Sequence, residues 1–287
     1  MLIGHQKIWQ FLKKSAELGK ISHAYLFFGP EKVGKKQVAL RWARSLLQDE
    51  KKDNKQYWHP DLILLMPQNE EISIYQIREL IAKLSLKPYS APLKVAIIDQ
   101  AHLMNQEAQN CFLKTLEEPK EKTLLILITE YPELLLPTIV SRCQIIKFHH
   151  VPNKEIEEYL RKEKIEEIKI KEILKICMGK PGLAMDFEKI KDWQEDIKII
   201  NKIFVSDLAD RFQYAKELSE KNNLKEILEV WTHYLRRILF EKIKQKDFSS
   251  LTRLKKIIGK IQEINFLIST TNINQKLALE ILMLEFN

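Results

Sequence analysis

Over the first 150 residues, short unbroken apolar runs alternate with runs whose apolar positions recur every three or four residues. Ala24-Tyr25-Leu26-Phe27-Phe28 stops at Gly29-Pro30 and reads as a buried strand. Lys35 to Leu47 follows with helical spacing. Asp61 to Met66 is a second strand, halted by Pro67, and Ile77 to Leu84 is helical until Pro88. Lys94 to Asp99 is a third strand and Leu124 to Thr129 a fourth. Ile139-Val140 and Gln144 to Phe148 suggest a fifth. Between the third and fourth, Ala108, Phe112 and Leu116 form a four-residue stripe after Asn105, the core face of a helix. Strands that are apolar throughout and separated by helices predict an α/β fold, with a parallel sheet covered on both faces.

After Val151-Pro152 the period changes. Asn153 is a suitable helix cap ahead of Glu155, Ile156, Tyr159 and Leu160, and the chain reads helical almost to its end. Gly179-Lys180-Pro181-Gly182 is the clearest break, and 187–200 reads as a helix or linker into a further bundle. The predicted plan is an α/β domain over 1–150, a small helical domain over 151–190 and an all-α C-terminal domain over 191–287.

Composition narrows the class. With 45% hydrophobic and 30% charged residues among 287, the chain is a folded protein and not a disordered tail. Cys111, Cys143 and Cys177 are too few and too scattered for a disulfide framework or a four-thiolate zinc site, which fits a reducing, cytoplasmic setting. MLIGHQKIWQFLKK lacks the apolar core of a secretory signal, and no run approaches the roughly 18–20 apolar residues that span a bilayer. No membrane partner is expected. His23, His59, His102, His149 and His150 lack metal-ligand spacing, so no metal site is expected either.

The net charge of +8 leaves nucleic acid open as a partner. Residues 236–260 hold nine basic residues (Arg236, Arg237, Lys242, Lys244, Lys246, Arg253, Lys255, Lys256, Lys260) against Glu241 and Asp247. That stretch reads either as a DNA-facing surface or as a solvated helix face.

Gly29-Pro30-Glu31-Lys32-Val33-Gly34-Lys35-Lys36 lies between a predicted strand and a predicted helix, where a phosphate loop belongs. Gly29, Gly34 and Lys35 match G-x-x-x-x-G-K, whose glycines allow close backbone approach and whose lysine reaches the β- and γ-phosphates. The next position should carry a hydroxyl for Mg²⁺. Lys36 offers an ammonium, which has donors and no acceptor and repels the metal. Asp99 ends an apolar strand where an acid could orient Mg²⁺, but its neighbour Gln100 cannot take a proton from an attacking water. Metal ligation and water activation are both compromised, so poor or no ATP hydrolysis is expected.

These residues, with Ser22-His23-Ala24-Tyr25-Leu26-Phe27, His59-Pro60-Asp61-Leu62, Phe112-Leu113-Lys114-Thr115-Leu116-Glu117-Glu118-Pro119 and Thr138-Ile139-Val140-Ser141-Arg142-Cys143, occur in the order seen in bacterial clamp-loader subunits. The chain resembles the delta-prime type of DNA polymerase III clamp loaders, members of the AAA+ family. The likeness is strong over 1–150, weaker over 151–190, and limited to length and helical character beyond. It implies an AAA+ phosphate-loop domain, a small helical lid at 151–190 and a collar at 191–287. It also implies a five-subunit ring with motor (gamma/tau-type) and delta-type partners, acting on the sliding clamp and primer-template DNA. Lys36 and Gln100 favour the delta-prime type over the motor type, as does the absence of an arginine in 179–182, where the motor's sensing Arg would fall near Gly182. Relatives often carry a four-Cys zinc module that would fall within 46–58; this segment has no Cys, so zinc is not expected.

By the same resemblance, Arg142 reaches in trans into a neighbouring motor subunit's ATP site, with Ser141 and Cys143 holding the turn, and Thr129 corresponds to a sensor position. A planar guanidinium suits a transferring phosphoryl group. From the residues alone, Arg142 reads as an arginine paired with a carboxylate at a strand end, and Cys143 as a packed residue. The leading expectation is therefore a non-hydrolysing ring member that requires no cofactor of its own and supports clamp loading during replication. The rivals are an active motor-type ATPase with an altered metal site and a DNA-binding protein acting through 236–260.

Overall fold

The computed structural model describes residues 2–48, 59–68, 71–119, 122–185, 190–221, 223–245, 247, 250–271 and 273–286. They form two compact units: Met1–Tyr159 with Gly179–Gly182, and Leu160–Met178 with Leu183–Asn287.

The first unit is built on strands β1 (Ala24–Phe28), β2 (Leu62–Leu65), β3 (Lys94–Ile98), β4 (Thr123–Thr129) and β5 (Gln144–Lys147). Helices α1 (Gln6–Glu17), α2 (Lys35–Leu46), α3 (Ile74–Ser85), α4 (Gln106–Glu117) and α5 (Pro137–Val140) accompany them. The strands form one parallel sheet in the order β2-β3-β4-β1-β5. Successive side chains of a strand point to opposite faces. Leu26, Ala96, Ile98, Leu125 and Leu127 pack on one face with Ile77, Leu80 and Leu84 of α3, Phe112 and Leu116 of α4, and Ile139 of α5. Tyr25, Phe27, Val95, Ile97, Ile126 and Ile128 pack on the other with Leu12 of α1 and Val38, Ala39 and Trp42 of α2. In the central strands β1, β3 and β4 both faces are dry, which is why their runs Ala24–Phe27, Val95–Ile98 and Leu124–Ile128 are apolar throughout. Deleting a ring as buried as Phe112 costs about 3–5 kcal/mol.

The helix starts carry their own signals. Ser73 and Gln76 close a capping box on α3, and Asn105 Oδ1 accepts the Ala108 amide at 2.9 Å on α4. One sequence expectation is corrected. Ile139 and Val140 belong to the helical turn α5 and not to the fifth strand. Pro137 presets φ for a helical start, Val140 and Ser141 close back onto Leu136 and Pro137, and β5 begins only at Gln144.

Helices α6 (Asn153–Lys162), α7 (Glu167–Cys177) and α8 (Pro181–Met185) follow. The rest of the chain is α9 (Ile190–Val205), α10 (Leu208–Ser219), α11 (Leu224–Lys244), α12 (Leu251–Thr270) and α13 (Gln275–Leu284). The core of the second unit joins Ile200 and Ile203, Leu228, Trp231 and Leu235, Ile257 and Ile261, and Leu279, Leu282 and Phe286. Trp231 donates its indole N–H to the Asp196 carbonyl at 2.8 Å, so the largest buried ring of this unit has no orphaned donor. No described helix is long and apolar enough to cross a membrane.

Candidate functional site

Because β1 lies between β4 and β5, the carboxyl ends of β3, β4 and β1 stand side by side. Crevices at such ends, where the strand order reverses, are where open α/β sheets bind ligands. Here they collect Asp99, Thr129 and the Gly29–Lys36 loop, all predicted from the sequence.

The loop backbone takes the left-handed region at Gly29 (φ 147°), Lys32 (φ 57°) and Gly34 (φ 104°). Gly29 has a second reason to be glycine: a Cβ there would lie 2.3 Å from the Phe148 carbonyl oxygen. Lys35 is buried, and its ammonium donates to the Gly29 and Pro30 carbonyls, each at 2.6 Å. Burial pulls its pKa down to about 8, opposed by Glu130, Glu31 and Asp99. Gly182, in the first turn of α8, donates its amide to the Lys32 carbonyl at 2.8 Å. His5 Nε2 lies 2.8 Å from the Val33 carbonyl and its ring meets Phe148 edge-on at 4.8 Å. Four loop carbonyls are thus engaged by the chain itself, and the phosphate-loop lysine is turned inward.

Lys36 completes the arrangement. Its ammonium stands 2.9 Å from Asp99 Oδ2, while Asp99 Oδ1 accepts the Gln100 amide at 3.1 Å. Gln100 itself adopts the left-handed region (φ 51°). The oxygen that would ligate Mg²⁺ therefore carries the protein's own cation, and the position that should supply a hydroxyl supplies that cation. This donor set does not fit Mg²⁺. Among the described residues, no cluster of three His, Cys, Asp or Glu could hold a metal ion.

Thr129 is fully buried. Its hydroxyl accepts the Tyr131 amide at 3.0 Å and shares a hydrogen bond with His102 Nδ1 at 3.1 Å. It pins the chain leaving β4, a structural task.

Arg142 stands apart from this loop, in the turn between α5 and β5. Nη1 donates to the Thr138 carbonyl at 2.9 Å and Nη2 pairs with Glu117 Oε1 at 2.7 Å. Ser141 Oγ also donates to Thr138 O, at 3.2 Å, closing the turn. Cys143 packs against the sheet core, and burial pushes its thiol up to about 12, so it is no nucleophile.

Residues 4–152 match the model of the family described as DNA polymerase III, delta subunit. The chain belongs to this family. It is 37% identical over 165 residues to DNA polymerase III subunit delta' of Bacillus subtilis, covering 54% of this chain and 50% of that protein. It is 35% identical over 152 residues to the Pseudomonas aeruginosa subunit of the same name, covering 48% and 45%. The matches thus span about half the length of these relatives. A gamma subunit-related protein of Thermotoga maritima has the same fold over 96% of this chain and 98% of its own, with a TM-score of 0.56 and 21% identity. Over its first half the chain is therefore similar to DNA polymerase III delta' subunits.

Two buried polar side chains, one of them in the His59-Pro60-Asp61-Leu62 motif, hold the surrounding backbone. Asp61, in His59-Pro60-Asp61-Leu62, is fully buried and accepts the Tyr89, Ser90 and Ala91 amides at 2.7, 2.9 and 3.0 Å. Burial pushes its pKa up, but the three donors and His59 outweigh this and hold it below the ordinary value. Gln109 is buried on α4. Its Nε2 donates to the Met104 and Leu134 carbonyls, and its Oε1 accepts the Leu136 amide at 2.7 Å, so α4 holds the approach to α5. Sequence inspection misses the role of Gln109, because a glutamine beside a core stripe looks like a surface residue. It also misses the link between Glu117 and Arg142, which lie 25 residues apart.

The basic stretch divides between α11 and α12, with Lys246 outside the described residues. Arg237 pairs with Glu241 (3.6 Å), Lys242 with Asp247 (2.6 Å), Lys256 with Glu285 (2.8 Å) and Lys260 with Glu263 (3.0 Å). Arg253 donates to the Phe286 carbonyl. Glu285 and Glu263 come from outside the stretch, so its sequence count overstates the positive charge on this surface. Of the segment considered for the zinc module, 49–58 lies outside the described residues.

Proposed function

We propose that the chain is a ring member of a bacterial clamp loader that does not hydrolyse ATP, working in the cytoplasm. In this reading it places Arg142 in the ATP site of an adjacent gamma/tau-type motor subunit. With a delta-type subunit it supports ATP-dependent loading of the sliding clamp onto primer-template DNA. Residues 151–190 act as the lid and 191–287 as the collar.

The observation that carries the non-hydrolysing role is the Lys36 ammonium on Asp99 Oδ2 at 2.9 Å. Hydrolysis in phosphate-loop sites rests on a metal that bridges the β- and γ-phosphates. Here the metal's carboxylate is neutralised by a cation tethered to the loop itself, and Lys35 is spent on the loop's own carbonyls. A chain without its own turnover can still serve a neighbour, because a guanidinium supplied in trans acts only through its position and charge. Arg142 has both: it is half-exposed and its fork is held at two points.

Two measurements test this. The isolated chain should show no Mg²⁺-dependent ATP turnover, and multiple turnovers per second would sink the non-hydrolysing reading. In a complex reconstituted with cognate motor and delta-type subunits, Arg142→Ala should lower ATP turnover on the order of 10²-fold or more while this chain stays folded. Unchanged turnover would overturn the donation of Arg142.

A further inference from the structure

We infer that Glu117 is a positioning residue for Arg142, an inference that rests on the proposed role of Arg142 in trans. The guanidinium is gripped through two different nitrogens by two different elements: Nη2 by Glu117 Oε1 of α4 at 2.7 Å, and Nη1 by the Thr138 carbonyl of α5 at 2.9 Å. Two anchors on a planar fork fix both its place and its plane, leaving the other N–H donors for a ligand. The anchors are themselves rigid. Helix α4 is capped by Asn105 and buries Phe112 and Leu116, and α5 buries Ile139 against the same face of the sheet. Gln109 of α4 also holds Leu134 and Leu136, so one helix sets both the carboxylate and the turn that bears the arginine.

The exposure of the pair shows what this contact does. The Arg142 side chain is 36% exposed and that of Glu117 48%. A pair this wet is weakly attractive and adds little to folding. Its effect is to settle the rotamers of a long side chain before a partner arrives, without holding the charge back from a polyphosphate that attracts it more strongly. Glu117 thus orients the group that acts and makes no contact with the reacting atoms itself.

The test uses the full chain in the reconstituted complex with its cognate motor and delta-type subunits, following steady-state ATP turnover. Glu117→Gln should lower kcat about fivefold and leave KM for ATP within a factor of about two, as expected when an orienting contact is lost and substrate binding is not. The double variant Glu117→Gln/Arg142→Ala should be no slower than Arg142→Ala alone, because Glu117 acts only through Arg142. If Arg142→Ala is slow but Glu117→Gln turns over like wild type, positioning by Glu117 is wrong and the role of Arg142 stands. If Arg142→Ala itself is unaffected, both fall. A double variant slower than Arg142→Ala, or a Glu117→Gln chain that no longer assembles, assigns Glu117 a structural or interface role and overturns the inference.

Discussion

Replacing Asp61 by Asn tests whether the His-Pro-Asp-Leu segment is a fold determinant. Three amides converge on this buried carboxylate, Tyr89 on Oδ1 and Ser90 and Ala91 on Oδ2. An asparagine can turn its carbonyl oxygen toward Ser90 and Ala91. Its NH2 then faces the Tyr89 N–H, donor against donor. One charge-assisted bond is lost, at about 1.5–3 kcal/mol, and the remaining two weaken to neutral strength. The expected destabilisation is about 3 kcal/mol, since water reaching the partly buried amides relieves some of the clash. In a chain of this size that is a fall in Tm of roughly 6–10 °C.

The pH dependence gives an internal check. The folded-state pKa of Asp61 lies below the ordinary value of 3.8, so its contribution is fully present above that value and is lost as pH falls through the folded pKa. Urea unfolding of wild type and Asp61→Asn, followed by tryptophan fluorescence, should show a constant gap from pH 7 to about 4 that closes at lower pH. Amide exchange at Tyr89, Ser90 and Ala91 should accelerate in the variant. A gap under about 0.5 kcal/mol at pH 7, or one that does not change on acidification, would refute the reasoning.

Lys35 carries the opposite sign. Its folded pKa of about 8 lies below the ordinary 10.5, so the unfolded chain holds the proton more tightly and stability rises from pH 8 toward 10.5. Lys35→Met should flatten that rise when urea midpoints at pH 7.5 and 9.5 are compared; equal slopes in both proteins would contradict a buried, charged Lys35. Cys143, pushed up to about 12, should resist alkylation by iodoacetamide at pH 8 in the native chain and react on unfolding. Rapid native labelling at Cys143, read by mass spectrometry, would show that the thiol is not buried.

The central strands β1, β3 and β4 were legible because they are buried on both faces, and burial writes an unbroken apolar run into the sequence. The error at Ile139-Val140 has the same origin: two adjacent β-branched residues packed on the core look alike in a strand and in one helical turn, and Pro137 decides between them. The loop Gly29–Lys36, Asp99 and Gln100 were found from local spacing. Even the incompatibility with Mg²⁺ was readable, since the charge of Lys36 is a property of the residue itself.

What the sequence determined by itself was therefore whatever a residue carries with it: period, chain order of the motifs, and the chemical type at each site position. Only the tertiary structure decided where those groups spend their bonds. It brought Lys36 onto Asp99 across the sheet's carboxyl end, turned Lys35 inward onto its own loop, and set Gly182 against Lys32. It made Asp61 a clamp for the turn at 89–91 and placed Glu117 on Arg142. Each of these joins residues that are adjacent on the chain to nothing in common, and hydrogen bonds act over about 3 Å regardless of sequence separation. The strand order that closes such distances is set by the packing of two apolar faces, which no single motif records.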